Sequence, residues 1–589
     1  MQDRPSDPDA EAPGTHLPRQ TALEWLLFGA LAGLLAIANV YATLLTGFGF
    51  GGSIIAVVSA ALVLTAIQGR LPSIVGLNLG QTMASAGASM GTAVAGYAAV
   101  LLVDPDFAPD LVTQIALFVT LGVVGVFVGT SVRRSMIRHF FPSGTACAVI
   151  LKSLNKPTAD TADPGRPLRR LGLGGLVAAL ASLPTKLAFE RGGEALLAAL
   201  PRSGRFQISL DPVLFGIGMI VGPRVGLGLV AGSLAVPWIL SPALAPAGGE
   251  VDAMAVEEWK NWLAISLVAL PTLAGIGFAY LLRPAPSLPP GLAPGRTEHP
   301  RPRRRTLAYA VVTGVALILG ALCAHRVFDL PLYLALVVAA LAWPLCIGNG
   351  RVAADTDINP LILLAIAVLA LCAFALPDTG MEIALLGMVV IGTTIAGMAV
   401  DMMQDHRTGY LIDANPTHQT SVQIIGVVLA AVLAVPFLNL LHATMGIGTE
   451  GGLPAPGPRF YLIVAQTFAG AFPSEGALLW AVIAASGAGV VYTFLATWTR
   501  TAPWMPSLFG VAIGLLLPLP MSAAICVGSL ITPAVSVGYR LSGKGTERGR
   551  RDAVFIGAGV LGGATVTGAL LAIASALLQL AGLEWFFVV

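Results

Sequence analysis

The sequence predicts an all-α polytopic membrane protein, with about sixteen transmembrane or broken helices in two tandem repeat halves. Three observations lead there. Charged residues make up 11% of the 589-residue chain, against about 25% in a soluble domain, too few to cover a water-facing surface of that size. Hydrophobic residues make up 56% and the mean hydropathy is +0.82, which leaves too much apolar surface for a disordered chain. The apolar residues fall into sixteen runs, and spans of about 20 residues each would use about 320 residues and leave room for loops.

Taken in order, residues 1–21 are polar and mixed in charge (Asp3, Arg4, Asp7, Asp9, Glu11, Arg19). They lack the basic-then-apolar order of a cleaved signal and read as a disordered cytoplasmic tail. The first half, 22–282, carries runs at about 22–46, 51–67, 73–103, 112–131, 141–156, 171–189, 212–240 and 259–281. Residues 283–305 hold seven prolines from Pro284 to Pro302 and the arginines Arg301, Arg303, Arg304 and Arg305. Such a stretch cannot span a membrane and reads as an extended cytoplasmic linker. The second half, 306–589, has runs at about 307–325, 331–347, 355–375, 382–403, 417–440, 474–498, 507–538 and 552–580.

The halves echo each other. Leu214-Phe215-Gly216 leads to Gly232-Ser233-Leu234, and Leu508-Phe509-Gly510 leads to Gly528-Ser529-Leu530. Arg70 and Arg351 close the second run of each half, with Asn78 and Asn359 at matching offsets after them. Duplication around a midplane site accounts for this pattern. The Lys/Arg bias places Arg70, Arg133/Arg134/Arg138, Arg202/Arg205 and the linker arginines in the cytoplasm, and with them the N-terminus. Lys152 to Arg170 and Arg540 to Arg551 would then face outward, so either some runs are re-entrant or the count is off by one span.

Several runs are interrupted: by Gly222-Pro223, by Pro518 and Pro520, and by Asn359-Pro360 and Asn415-Pro416 at run starts. Proline removes a backbone donor, and backbone freed at membrane depth must face protein or a water-filled cavity. Broken helices of this kind form solute and ion sites in many carriers.

Three polar stretches could carry chemistry. Asp401 and Asp405 stand four apart on one helical face, with Gln404, Arg407, Thr408 and, further on, Gln423 nearby. Asn78, Gln81 and Thr82 offer neutral hydrogen bonds to a polar solute. Pro142 to Cys147 opens a helix whose N-terminus, with Thr145, suits an anion such as a carboxylate. There is no nucleotide-binding Gly-x-x-x-x-Gly-Lys-Ser/Thr loop and no basic face for nucleic acid, so ATP-driven pumping, nucleic acid and a bound cofactor are not expected. The five cysteines are scattered singly and suggest neither a metal site nor disulfides.

In this order the stretches resemble the oligopeptide transporter (OPT) family, specifically its bacterial branch. The resemblance rests on Asn78…Gln81-Thr82…Ser85-Ala86-Gly87, on Pro142 to Cys147, on Gly222-Pro223-Arg224, and most specifically on Asp401 to Tyr410 continuing through Asn415-Pro416 and Gln419 to Gln423. It implies a multi-pass secondary carrier of about sixteen helices in the bacterial inner membrane. Such a carrier moves small peptides, glutathione-like compounds or metal chelates, generally coupled to proton entry, and could form a homodimer. The expected solute site takes Asn78, Gln81, Thr82, Thr145, Asn359, Gln404, Asp405, Thr408 and Gln423, with Asp401 and Asp405 as coupling groups. Family members tend to be acidic where this chain has Gly76, Ala88 and Ser143, leaving Asp401, Asp405, Asp355 and Asp357 as the carboxylates available. The alternative is an integral membrane enzyme holding a divalent metal at Asp401 and Asp405 against a phosphorylated lipid.

Overall fold

The computed structural model describes residues 21–47, 49, 52–69, 73–139, 141–155, 165–187, 208–245, 252–282, 303–356, 359, 361–372, 381–449, 452–471, 476–498, 505–543 and 545–580. Among these the chain is helical throughout and contains no strand, only one isolated bridge between Ile447 and Leu453. In chain order the helices are α1 (Ala22–Thr46), α2 (Gly52–Gln68), α3 (Ile74–Val103), α4 (Leu111–Ser131), α5 (Arg133–Met136), α6 (Pro142–Asn155) and α7 (Gly165–Leu187). Next come α8 (Pro212–Val221), α9 (Pro223–Ala235), a π-helical turn at Val236–Leu240, α10 (Ser241–Leu244), α11 (Ala253–Leu282), α12 (Arg303–Phe328), α13 (Leu332–Thr356) and α14 (Leu361–Cys372). The last are α15 (Glu382–Leu411), α16 (Pro416–Met445), α17 (Pro456–Gln466), a π-helical turn at Thr467–Ala471, α18 (Gly476–Trp498), α19 (Leu508–Leu516), α20 (Leu519–Leu541) and α21 (Thr546–Leu580).

Among the described residues every expected apolar run falls on helix, and eleven helices are long and apolar enough to cross a membrane. The runs outside those eleven fall on α2, α6, α7, α11 and α14. Helix α17 matches none of the runs, because Arg459 and two prolines dilute its apolar residues. The exterior confirms the setting. Leu307, Val311 and Val315 on α12 are 65%, 56% and 52% exposed at a spacing of one helical turn. Trp480, Ile483 and Val491 do the same on α18. Large apolar side chains turned outward along whole helices need lipid around them, so this is a multi-pass membrane protein.

Local signals explain the helix limits. Thr21 is the N-cap of α1: its hydroxyl accepts from Glu24 N, while Glu24 Oε2 accepts from Thr21 N at 3.0 Å. The expected tail therefore ends at residue 20, and residues 1–20 lie outside the described residues. So does the linker from 283 to 302, while Arg303–Arg305 already belong to α12. Gly222 separates α8 from α9 with φ +81, a conformation favoured by glycine, and Pro223 then takes the N1 position. Leu517 and Pro518 part α19 from α20 with extended backbone, and Pro520 fits the first turn of α20. Pro416 does not break a span; it opens α16 behind the N-cap Asn415. Pro360 lies outside the described residues.

Glycine sets the packing at the centre. Helix α3 runs against α1, where a Cβ on Gly87 or Gly91 would strike the carbonyls of Ala32 and Ala36. It meets α16 where Gly426 faces the Met83 carbonyl. Helix α4 closes on α15 through Gly125 and Gly129, each 2.5 Å (as a Cβ) from the carbonyls of Ile395 and Ala399. With no hydrophobic drive between helices in lipid, such contact distances supply the association. Elsewhere α8 packs on α20 and α9 on α19, while α7 packs on α21 and α11 on α18.

Candidate functional site

Helices α3 and α15 are 30 residues each, run antiparallel, and place their polar residues against each other. Asp401 and Asp405 share one face of α15, as their four-residue spacing requires, and are 5% and 0% exposed. Gln81 Nε2 donates to Asp405 Oδ1, and Ser85 Oγ lies 2.7 Å from Asp405 Oδ2 and 3.3 Å from Asp401 Oδ2. From α16, Gln423 Nε2 donates to Asp401 Oδ2 at 2.9 Å. Gln419 Nε2 donates to Asn78 Oδ1 at 3.1 Å and to the Asp405 carbonyl at 2.7 Å, and Asn78 Nδ2 donates to Gln81 Oε1 at 3.0 Å. Hydroxyls of Thr82 and Ser53 adjoin Asp405, that of Ser89 adjoins Asp401, and the Cys147 thiol of α6 also faces Asp405.

Among the described residues neither aspartate takes part in an ion pair. Two carboxyl groups thus sit in the protein interior on neutral amide and hydroxyl donors alone. Two further polar atoms of the network, Thr82 Oγ1 and Gln423 Oε1, are buried without a hydrogen-bond partner. Buried carboxylates and orphaned polar atoms are costly for folding alone, and their concentration at one place marks a site.

The expected residues divide. Asn78, Gln81, Thr82, Asp401, Asp405 and Gln423 come together. Thr408 instead donates to the Gly144 carbonyl at 2.9 Å, pinning α6 to α15, and Gln404 contributes its carbonyl to the same contact. Thr145 is buried one residue further along α6. Asn359 is set apart, accepting from Asn349 Nδ2 at 3.2 Å and reaching the Ala396 carbonyl at 3.5 Å. The Asp355 side chain and all of Asp357 lie outside the described residues. Ser85 and Gln419 are the additions, and a helical wheel would have found both: each stands four residues from a nominated glutamine, Gln81 and Gln423.

Two further features concern place and form. At about 1.5 Å per residue, Asp405 lies about 9 Å from the C-terminal end of α15 and Gln423 about 10 Å from the N-terminal end of α16, so the network is offset from the helix middles. It is also closed. Apart from the half-buried Ser89, its members are at most 5% exposed and bond to one another rather than lining an open chamber. Gly76 N is capped by Ser73 Oγ, and the Ala88 carbonyl accepts from Asn39 Nδ2 at 2.7 Å. Arg407 points off the network, fully buried, with Nη1 on the Ile137 carbonyl at 2.6 Å.

An all-helical membrane body whose only concentrated polar chemistry, among the described residues, lies between its central helices is the form of a solute carrier. The chain matches the model of the OPT oligopeptide transporter protein family over residues 21–286 and 298–575, and belongs to that family. It is 24% identical over 606 aligned positions to a Haemophilus influenzae protein assigned as an oligopeptide transporter, covering 90% of this chain and 92% of that one. Two proteins of Oryza sativa subsp. japonica assigned as metal-nicotianamine transporters are also similar. YSL11 is 23% identical over 59% of this chain and 55% of its own length, and YSL17 is 25% identical over 72% and 68%. The chain is therefore a membrane transporter and not an enzyme. The lipid-enzyme alternative loses its footing: the family transports, and no group of three metal-ligating side chains occurs among the described residues.

Proposed function

We propose that this OPT family member is a proton-coupled secondary carrier of the bacterial inner membrane, with a cytoplasmic N-terminus, moving short peptides or peptide-like metal chelates. One observation carries the reading. Asp401 and Asp405 are buried side by side with no cationic side chain paired to them among the described residues, held by Gln81, Ser85 and Gln423. A pair of like charges in a dry interior repels, and a proton on one of them, or the amine or metal of a solute beside the other, relieves the repulsion. The neutral amides of Asn78, Gln81 and Gln419 match the donors and acceptors of a peptide backbone. In the closed state they bond to one another and would exchange those bonds for solute.

We also infer that the two halves are duplicates. The exchange of partners between α8–α20 and α19–α9, and between α7–α21 and α18–α11, supports this. A matched pair of hydrogen bonds across the breaks supports it further: Ser209 N to the Pro520 carbonyl at 3.1 Å and Ser507 N to the Arg224 carbonyl at 2.7 Å.

The test is uptake of labelled di- and tripeptides, and of metal–peptide chelates, into proteoliposomes with an imposed proton gradient. Saturable uptake that collapses with the gradient, and in Asp405→Asn, is the expected result. Uptake indifferent to both would overturn the proposal.

A further inference from the structure

The two aspartates are not equivalent. Asp405 has each carboxylate oxygen on a donor, Oδ1 on Gln81 Nε2 and Oδ2 on Ser85 Oγ at 2.7 Å. Asp401 receives Gln423 Nε2 on Oδ2 at 2.9 Å, adjoins the Ser89 hydroxyl, and stands 3.3 Å from the same Ser85 hydroxyl. That hydroxyl has one hydrogen, so serving Asp405 leaves Asp401 without it. Meanwhile the other end of the Gln423 amide, Oε1, is buried in a residue of 0% exposure and has no partner. A carboxylate cannot satisfy an orphaned acceptor; a carboxylic acid can. An amide facing a carboxylic acid closes a ring of two hydrogen bonds: amide N–H to the acid's carbonyl oxygen, and acid O–H to the amide oxygen. The first of these two bonds is already in place.

We propose that Asp401 is the carboxyl that carries the transported proton, on Oδ1 toward Gln423 Oε1, while Asp405 stays ionised as the counter-charge for the cationic end of the solute. Gln423 is then a positioning residue that holds the proton-bearing form. This inference rests on the proton-coupled reading and divides its two roles between two side chains. The balance is simple: one O–H bond forms on Asp401 as a proton enters from one side of the membrane, and the same bond breaks as it leaves to the other. Among the described residues the titratable groups facing the pair are Asp405 for Asp401 and the Cys147 thiol for Asp405; from α2, α3 and α16 come only the neutral Ser53, Gln81, Thr82, Ser85, Ser89 and Gln423.

Infrared difference spectroscopy of the full chain in lipid vesicles tests this without any solute. A protonated carboxyl gives a carbonyl stretch that moves on deuteration. The expected result is its presence in the wild type and in Asp405→Asn, and its loss in Asp401→Asn, where the new amide can still donate to Gln423 Oε1 and keep the fold. In Gln423→Leu the band should rise in frequency as its hydrogen-bond acceptor disappears. A band unchanged in Asp401→Asn, or unmoved in Gln423→Leu, overturns the assignment. In proteoliposomes Asp401→Asn should lose gradient-driven accumulation yet keep peptide counterflow, and Asp405→Asn should lose both; accumulation by Asp401→Asn at the wild-type level also overturns it. A wild type that moves no peptide but shows the Asp401 band refutes the transport reading alone.

Discussion

Replacing Gly409 by alanine offers a test of the network in which the sign of the effect is diagnostic. Gly409 lies on α15 beneath the Gln419 carboxamide, and a Cβ there would sit 2.5 Å from both Cδ and Nε2 of Gln419. Ordinary contact begins near 3.4 Å, so the amide must retreat by about 0.9 Å, beyond hydrogen-bond reach of its partners. It would release Asn78 Oδ1 and the Asp405 carbonyl, now held at 3.1 and 2.7 Å. Two buried bonds at about 1 kcal/mol each, plus about 1–3 kcal/mol for an acceptor left bare, give a loss of about 3–5 kcal/mol. Alanine in place of glycine returns about 1 kcal/mol in helix propensity. Gly409→Ala should therefore cost about 2–4 kcal/mol. In a Gln419→Ala background the obstacle and both bonds are already gone, and the same substitution should stabilise by about 1 kcal/mol. Thermal unfolding of the four proteins in detergent measures the cycle. If Gly409→Ala destabilises equally in both backgrounds, the Gln419 contact is not the cause and the network as described is wrong.

Other outcomes follow from the same contacts. Gly87→Ala drives a methyl into the Ala32 carbonyl, which backbone cannot yield, whereas a Cβ on Gly314 meets nothing; Gly87→Ala should cost about 3 kcal/mol and Gly314→Ala should stabilise by about 1 kcal/mol in the same unfolding assay. Gly222→Ala has free space but a φ of +81 with ψ 170, a region essentially confined to glycine, so its cost of about 1–3 kcal/mol should be purely conformational and not recovered by Gly222→Asn, which tolerates only the left-handed helical region. Asp552, 8% exposed on its side chain, pairs with Arg170 at 2.8 Å between α21 and α7. Removing Asp552 alone should destabilise more than removing both partners, because a partly buried arginine would be left uncompensated, and a double-mutant cycle in thermal stability reads the difference.

Much of the architecture could be read in the sequence because lipid imposes a severe rule. Apolar runs must be helices, and among the described residues all sixteen fall on helix, with 212–240 and 507–538 each split over two. Helix α17 escaped because the rule recognises only undiluted apolar runs. The site was half legible. The Asp401–Asp405 spacing guarantees a shared face on any helix, and Asn78, Gln81 and Gln423 proved to be partners of that face. Asn359 did not join them although it occupies a matching offset after Arg351, since offset along a chain does not fix where a helix packs. Thr408 and Gln404 turn toward α6, a few tens of degrees around α15 from the aspartates.

Composition and periodicity by themselves determined that this protein lives in a membrane, that it is helical, that its helices break at Gly222 and Pro518, and that two carboxylates share a helical face. They could do so because each is a property of one segment and its solvent. Only the tertiary structure decided that α3 and α16 supply the amides to α15, that Ser85 stands between the two aspartates, and that Gln423 keeps one oxygen unsatisfied beside Asp401. Those facts depend on which glycine seams let helices hundreds of residues apart approach closely, and pairwise approach is written in no single segment.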